Sequence, residues 1–137
     1  MNKQEQSSLQ KAKKLCRQGK PREAVRLLQQ HADQHPQHGE ITAFIAELSM
    51  ETANRLLAEN NIQEAINHLL TVIKYRPGDA RAHFLAGAAF AQNGDYRRAL
   101  QYTDSAIALD PGNIDAVYNK AQIYMHQGEE RLAIECY

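Results

Sequence analysis

The chain has 137 residues, which is one domain's worth of sequence and enough to bury a core without disulfide or metal staples. Sixteen Lys and Arg balance sixteen Asp and Glu, and this neutrality argues against a general nucleic-acid binder. Seven glycines and four prolines exclude a loop-rich scaffold, while twenty alanines against three valines and no tryptophan favour helices over a sandwich, a barrel or a Rossmann sheet.

The first element in chain order is a helical hairpin over about residues 5–38. Its frame is a small residue, a large apolar residue, a turn residue, a second small residue and a stop: Ala12, Leu15, Gly19, Ala24 and Pro36. Gly19 is able to take a positive φ and close the first helix, and Pro36 cannot continue the second. Small residues at both fixed points let the paired helices approach closely, and added bulk there would cost about 1–3 kcal/mol.

The frame returns as Ala53, Leu56, Asn60, Ala65 and Pro77 in the second element. Here the period is 41 residues rather than 34, with the seven extra residues around Gly39–Ile45. Seven residues are close to two α-helical turns and keep the apolar face in phase. The spacing therefore predicts a long first helix at roughly 40–59, with Ile41, Phe44, Ile45 and Leu48 on its apolar face. A longer connecting loop is the alternative, but the segment has few turn residues.

The third element carries Gly87, Phe90, Gly94, Ala99 and Pro111, and Leu100, Thr103, Ala106, Ile107 and Leu109 trace one face of its second helix. The fourth carries Ala121, Tyr124, Gly128 and Ala133 and runs to Tyr137 inside its second helix. Leu132, Ile134 and Tyr137 there form an apolar stretch with no polar cap, which reads as an excised piece of a longer protein or as an end that pairs with another copy.

Residues 80–113 show the frame most fully: Ala82-His83-Phe84-Leu85-Ala86-Gly87, Phe90, Gly94-Asp95-Tyr96, Ala99, Ala106 and Asp110-Pro111. On these residues the chain resembles the tetratricopeptide repeat family, with His83 in the usual Trp position and Ala86 in the usual Leu position. The resemblance covers nearly the whole chain. It implies an all-α, right-handed superhelical solenoid of antiparallel helix pairs. Residues 1–137 would form a single domain of about three and a half units, at about 5–38, 39–79, 80–113 and 114–137.

The resemblance further implies a non-enzymatic protein-interaction module that grips a peptide or helix of a partner protein in a concave groove. Groove positions fall on Leu9, Lys13, Cys16 and Arg17; on Met50, Asn54, Leu57 and Ala58; on Phe84, Ala88, Ala91 and Gln92; and on Tyr118, Gln122, Met125 and His126. Leu9, Met50, Phe84 and Tyr118 share one repeat position and are expected to form an apolar stripe, unless they only pack against their own neighbours. The Lys/Asn/Arg clamp that some members close on a C-terminal carboxylate is missing. Only Asn54 and Asn119 lie near such positions, while Leu9, Glu51 and Leu85 occupy others. The expected ligand is an amphipathic helix or an extended apolar peptide held by Phe84, Met50 and Tyr118. Alternatives are the N-terminal recognition arm of a larger enzyme, such as a transferase, and a self-assembling scaffold.

Catalytic signatures are missing from the sequence: it has no phosphate-cradling loop, no His-Glu-x-x-His, no Cys-x-x-Cys and no Gly-x-Ser-x-Gly. Ser7, Ser8, Ser49 and Ser105 have no base within sequence reach. His31, His35 and His38 are close together, but no cysteine or carboxylate pattern completes a metal site, and histidines at a helix C-terminus suit its dipole. His83 is expected to pack rather than react, and His126 to offer a polar contact to the groove. Neither cofactor nor metal is expected.

Residues 1–30 hold eight Lys/Arg (Lys3, Lys11, Lys13, Lys14, Arg17, Lys20, Arg22 and Arg26) against Glu5 and Glu23, and residues 31–70 hold Arg55 against six acids. The basic end suits an acidic partner or RNA, or else a solvated hairpin facing its acidic neighbour or a second copy. No aromatic residue among 1–30 is available to stack on nucleic-acid bases. The first residues lack the apolar stretch of a signal peptide, and no run is long enough to span a membrane. Cys16 and Cys136 make no disulfide framework, so a cytoplasmic protein is expected.

Overall fold

The computed structural model describes residues 3–128. Seven helices follow one another there: α1 (Lys3–Arg17), α2 (Pro21–Gln34), α3 (Gly39–Ala58), α4 (Ile62–Tyr75), α5 (Ala80–Gln92), α6 (Tyr96–Leu109) and α7 (Ile114–His126). Each helix packs against the next in chain order, so the chain is a solenoid of stacked hairpins. The second helix expected in the fourth element, with Leu132, Ile134 and Tyr137, lies outside the described residues.

One local motif closes the first helix of each described pair. Gly19 N–H donates to Cys16 O at 3.0 Å, and Lys20 N–H to Leu15 O at 2.9 Å. Asn60 repeats this on Leu57 (3.1 Å) and Asn61 on Leu56 (2.8 Å); Gly94 repeats it on Ala91 and Asp95 on Phe90, both at 3.0 Å. This is the Schellman pattern, and it needs a left-handed residue after the helix. Gly19, Asn60, Gly94 and Gly128 have φ of 76°, 64°, 80° and 76°. These are the four turn positions of the sequence frame.

The second connection is also repeated. His38, Asp79 and Asn113 donate their N–H groups to the carbonyls of His35, Arg76 and Asp110 at 3.1, 3.0 and 3.1 Å, closing turns around Pro36, Pro77 and Pro111. Asp79 and Asn113 then cap the next helix, accepting from Ala82 N–H at 3.0 Å and Ala116 N–H at 3.2 Å. Such caps contribute about 1 kcal/mol each. His38, in the same place before α3, makes no side-chain cap.

The small residues sit where the helices meet. Ala12, Ala24, Ala53, Ala65, Ala99 and Ala121 are all fully buried. A Cβ on Gly87 would fall on Thr103 Oγ1 and lie 3.1 Å from Thr103 N and 3.2 Å from Ala99 O. On the neighbouring α6, Thr103 and Ala106 are buried while Leu100 and Ile107 are half-buried. Leu109 departs from the expected face and is 45% exposed. At 100° per residue it lies about 80° from the centre of the face set by Ala99, Thr103 and Ala106.

The core falls into two clusters. Leu9, Ala12, Ala24, Val25, Leu28, Ile41, Ile45 and Leu48 belong to the first, with Phe44 packed against it. Ala53, Ile66, Leu69, Ala86, Phe90, Ala99 and Ile123 belong to the second, with Met50 and Leu57 packed against it. The apolar side chains of the twenty-residue α3 thus serve both. Ile41, Ile45 and Leu48, from its first turns, are buried against α1 and α2.

Gly87→Ala is expected to lower the unfolding free energy by about 1–3 kcal/mol through overpacking against Thr103 and Ala99. A urea titration of the two proteins measures it, and an unchanged midpoint would contradict the close approach of α5 and α6.

Candidate functional site

Groove positions were expected on the first helix of each pair, and the described structure brings those of α5 and α7 together. Between α5 and α7 these positions converge on a hollow of about 430 Å³ lined by Ala88, Ala91, Gln92, Tyr96, Asn119, Gln122, Ile123 and His126. Ala88, Gln92, Gln122 and His126 are brought together here as the repeat frame expects. Tyr96 and Ile123 were missed. Tyr96 opens α6, a second helix, and the frame places groove residues only on first helices; Ile123 is buried core that reaches the hollow from below.

The chemistry of this hollow is neutral. Ala88 and Ala91 keep its wall low, and Gln92, Asn119 and Gln122 supply amide donors and acceptors. Tyr96 and His126 stack as a pair, with ring centroids 5.9 Å apart and planes 7° from parallel. Among the described residues, no Lys, Arg, Asp or Glu lines it. Beside it, Tyr118 and Met125 are 53% and 44% exposed on α7, and Phe84 is half-buried on α5.

The first hairpin sits differently from the frame. Leu9 is only 8% exposed and belongs to the first core cluster. With Lys13 it lines a shallow hollow shared with Glu40, Ala43, Phe44 and Glu47. The repeat frame pairs Leu9 with Met50 and Lys13 with Asn54, yet neither borders this hollow, and Met50 packs on the second cluster. The reason is the insertion. Seven residues of helix lengthen α3 by about 10 Å, and α1 packs beside the added turns. Arg17, Asn54 and Ala58 are exposed, Leu57 is half-buried, and Cys16 is half-buried with its thiol pushed up by burial and then by Glu51.

Two further expectations meet the structure. His83 is 9% exposed and its Nε2–H donates to Pro77 O at 2.8 Å, so it ties α5 to the preceding turn. The basic first hairpin does meet its acidic neighbour at Arg22–Glu64, 2.5 Å apart. Both partners are about half exposed, so the pair contributes little stability.

The three clustered histidines are more than a decorated helix end. Ser8 Oγ lies 2.9 Å from His31 Nδ1, and His31 Nε2 lies 2.8 Å from His38 Nδ1. Glu5 Oε1 is 3.6 Å from His38 Nε2, and the His35 ring stacks on His38 at 4.8 Å. Ser8 and His31 are 23 residues apart, so no local pattern could have shown this. Facing nitrogens that share one hydrogen bond leave no room for an ion between them, and among the described residues no set of three or more His, Cys, Asp or Glu is placed to hold a metal.

The hairpin array and its neutral groove define a helical-repeat protein. The sequence model of the tetratricopeptide repeat matches residues 50–114 and 93–137, and the chain belongs to that family. Photosystem I assembly protein Ycf3 of Prochlorococcus marinus (strain MIT 9301) is 35% identical over 79 residues, covering 56% of this chain and 45% of that protein. Hsp70-Hsp90 organizing protein 3 of Arabidopsis thaliana is 30% identical over 93 residues, 68% of this chain and 17% of that one. This chain therefore spans less than half the length of these curated relatives. Among solved structures, MamA from Desulfovibrio magneticus RS-1 superposes with a TM-score of 0.63 at 19% identity, covering 99% of this chain and 92% of that one. The TPR2B domain of yeast Sti1, in its complex with an Hsp70 peptide, gives 0.65 at 25% identity over 66% of this chain and 73% of that one. No helix among the described residues is long and apolar enough to cross a membrane.

His68, on α4, is held below the ordinary imidazole range by burial and then by Arg22, with Glu64 opposing. A histidine lowered in the folded state adds stability that is complete above its unfolded value of about 6.5 and is lost as pH falls below it. His68→Gln is therefore expected to flatten the fall in melting temperature between about pH 7 and pH 5, as thermal unfolding at a series of pH values would register. An equally steep fall in the variant would contradict this.

Proposed function

We propose that this protein is a non-enzymatic interaction module that binds an uncharged, extended or helical segment of another protein in the hollow between α5 and α7. The observation that carries this reading is the convergence of Ala88, Gln92, Gln122 and His126 with Tyr96 and Asn119 around one neutral depression. Small alanines leave space for a ligand side chain, the Tyr96–His126 pair offers a flat wall, and the three amides suit peptide groups. The exposed Tyr118 and Met125, with Phe84, extend the same surface. The relative found in complex with an Hsp70 peptide supports peptide binding as the mode. The described lining offers amides, small alanines and an aromatic pair but no Lys or Arg, which supports an uncharged segment rather than a carboxylate tail.

In this reading the units are about 5–38, 39–79, 80–113 and 114–137, and the compartment is the cytoplasm. Lys13, Arg17, Asn54 and Leu57 serve as outlying contacts rather than as the centre of the site. A second reading is self-association. It is favoured by one observation: among the described residues, the exposed large apolar side chains Leu109, Ile114, Tyr118 and Met125 all lie on α6 and α7.

Screening an array of short peptides of varied charge tests the proposal. Uncharged apolar sequences are expected to bind, and Ala88→Arg or Tyr118→Glu to weaken them at least tenfold, about 1.4 kcal/mol. Lys13→Ala is expected to leave them unchanged. Equal binding by the folded Ala88→Arg protein, or selection of acidic tails instead, would overturn the assignment.

A further inference from the structure

The cluster around His31 joins the three elements that together build the first core. Glu5 and Ser8 come from α1, His31 and His35 from the last turn of α2 and the residue after it, and His38 from the turn before α3. Its contacts allow one consistent polarity. The Glu5 carboxylate, 3.6 Å from His38 Nε2, is too far for a hydrogen bond but favours a proton on that nitrogen, which leaves Nδ1 an acceptor. In that tautomer His31 donates from Nε2 across the 2.8 Å contact, and its Nδ1 accepts from the Ser8 hydroxyl at 2.9 Å.

His38 occupies the position from which Asp79 and Asn113 cap α5 and α7. It makes no such cap, and its ring turns to His31 and Glu5 instead. This repeat has exchanged a helix cap for a contact with α1.

We propose that the Ser8–His31–His38–Glu5 chain is a proton-sensitive latch, which holds α1 on α2 and the start of α3 while its imidazoles are neutral and releases α1 when they gain protons at mildly acidic pH. One added proton is tolerated, because it can sit on His31 Nδ1 while the Ser8 hydroxyl turns to accept. A second must go to His38 Nδ1, where an N–H already points at it from 2.8 Å. A third would charge His35, whose ring lies 5.0 Å from His31 and 4.8 Å from His38. Among the described residues, the charged or titratable groups seen against His31 and His38 are Glu5 from α1 and His35, the residue after α2. Tyr75 from α4 packs on the same core cluster, and Glu40, the first acid of α3, is exposed. Glu5 is the carboxylate seen against these imidazoles.

Burial holds His31 below the ordinary imidazole range, with His35 and His38 adding to the effect and Glu5 opposing it. The released state accordingly binds more protons, and release is favoured as pH falls below about 6.5. Release costs less than unfolding the array, because α1 is a terminal helix whose contribution to the core is Leu9 and Ala12, with Leu15 and Cys16 packed beside them. Release would expose Leu9, Ala12, Ile41 and Ile45 and dismantle the hollow lined by Leu9, Lys13 and Phe44.

Hydrogen exchange followed by mass spectrometry at about pH 7.5 and about pH 5, corrected for intrinsic rates, tests the latch. For each proton taken up, opening of α1 is expected to rise by up to about tenfold per pH unit as pH falls from about 6.5 towards the lowered folded-state value of His31, and to level off below it, with α5 and α6 far less affected. His38→Asn removes the second imidazole, keeps an acceptor for His31 and restores the residue that caps α7. It is expected to keep α1 docked and to reduce its pH response, whereas His68→Gln leaves that response intact. NMR titration of the wild-type protein is expected to show His31 gaining its proton below the ordinary imidazole range. Protection of α1 that is equal at both pH values, a full response in His38→Asn, or His31 titrating at the ordinary value would each overturn the proposal.

Discussion

Everything in this molecule depends on helices coming close enough for backbone to touch side chain. Gly87 lies directly against Thr103 and Ala99, and the buried alanines at the equivalent positions serve the same end. A two-helix unit buries only part of its apolar surface, so the remainder must be covered by the units on either side. Close approach makes that coverage efficient, and the left-handed residue after each first helix sets the angle at which the second returns. The groove is a by-product of this stacking, formed where first helices diverge.

Much of this was legible in the chain. The turn residues Gly19, Asn60, Gly94 and Gly128 stand out because positive φ restricts the choice of residue so strongly. Chain periodicity located the small buried residues, and helical phase located the face of α3. The groove residues on α5 and α7 were legible because both lie in units of the regular 34-residue period.

What was not legible has two physical origins. Tyr96 borders the hollow from a second helix, and the histidine chain joins residues 23 apart; both are set by packing between elements. Leu9, expected on the groove, lies in the first core for a different reason. A repeat frame assigns equivalent residues by counting back from the turn, whereas the added residues of α3 set Ala43, Phe44 and Glu47 beside Leu9 and Lys13 while Cys16 lies near Glu51 further along the same helix. Counting alone does not reveal which side chains added turns will cover. The charge asymmetry of the first 70 residues was visible, but its structural expression is limited to exposed pairs such as Arg22–Glu64.

The two added turns of α3 also bear on how freely the units could be exchanged. In a uniform array any hairpin could be swapped, duplicated or shuffled, since each presents the same socket to the next. Here the step of about 10 Å makes the first hairpin and α3 a matched pair, so a spare copy of the third unit grafted in place of the first would meet a bare helix end. Recombination and design can extend this solenoid by inserting regular units after α4, and its leading edge is the one junction that must be inherited whole.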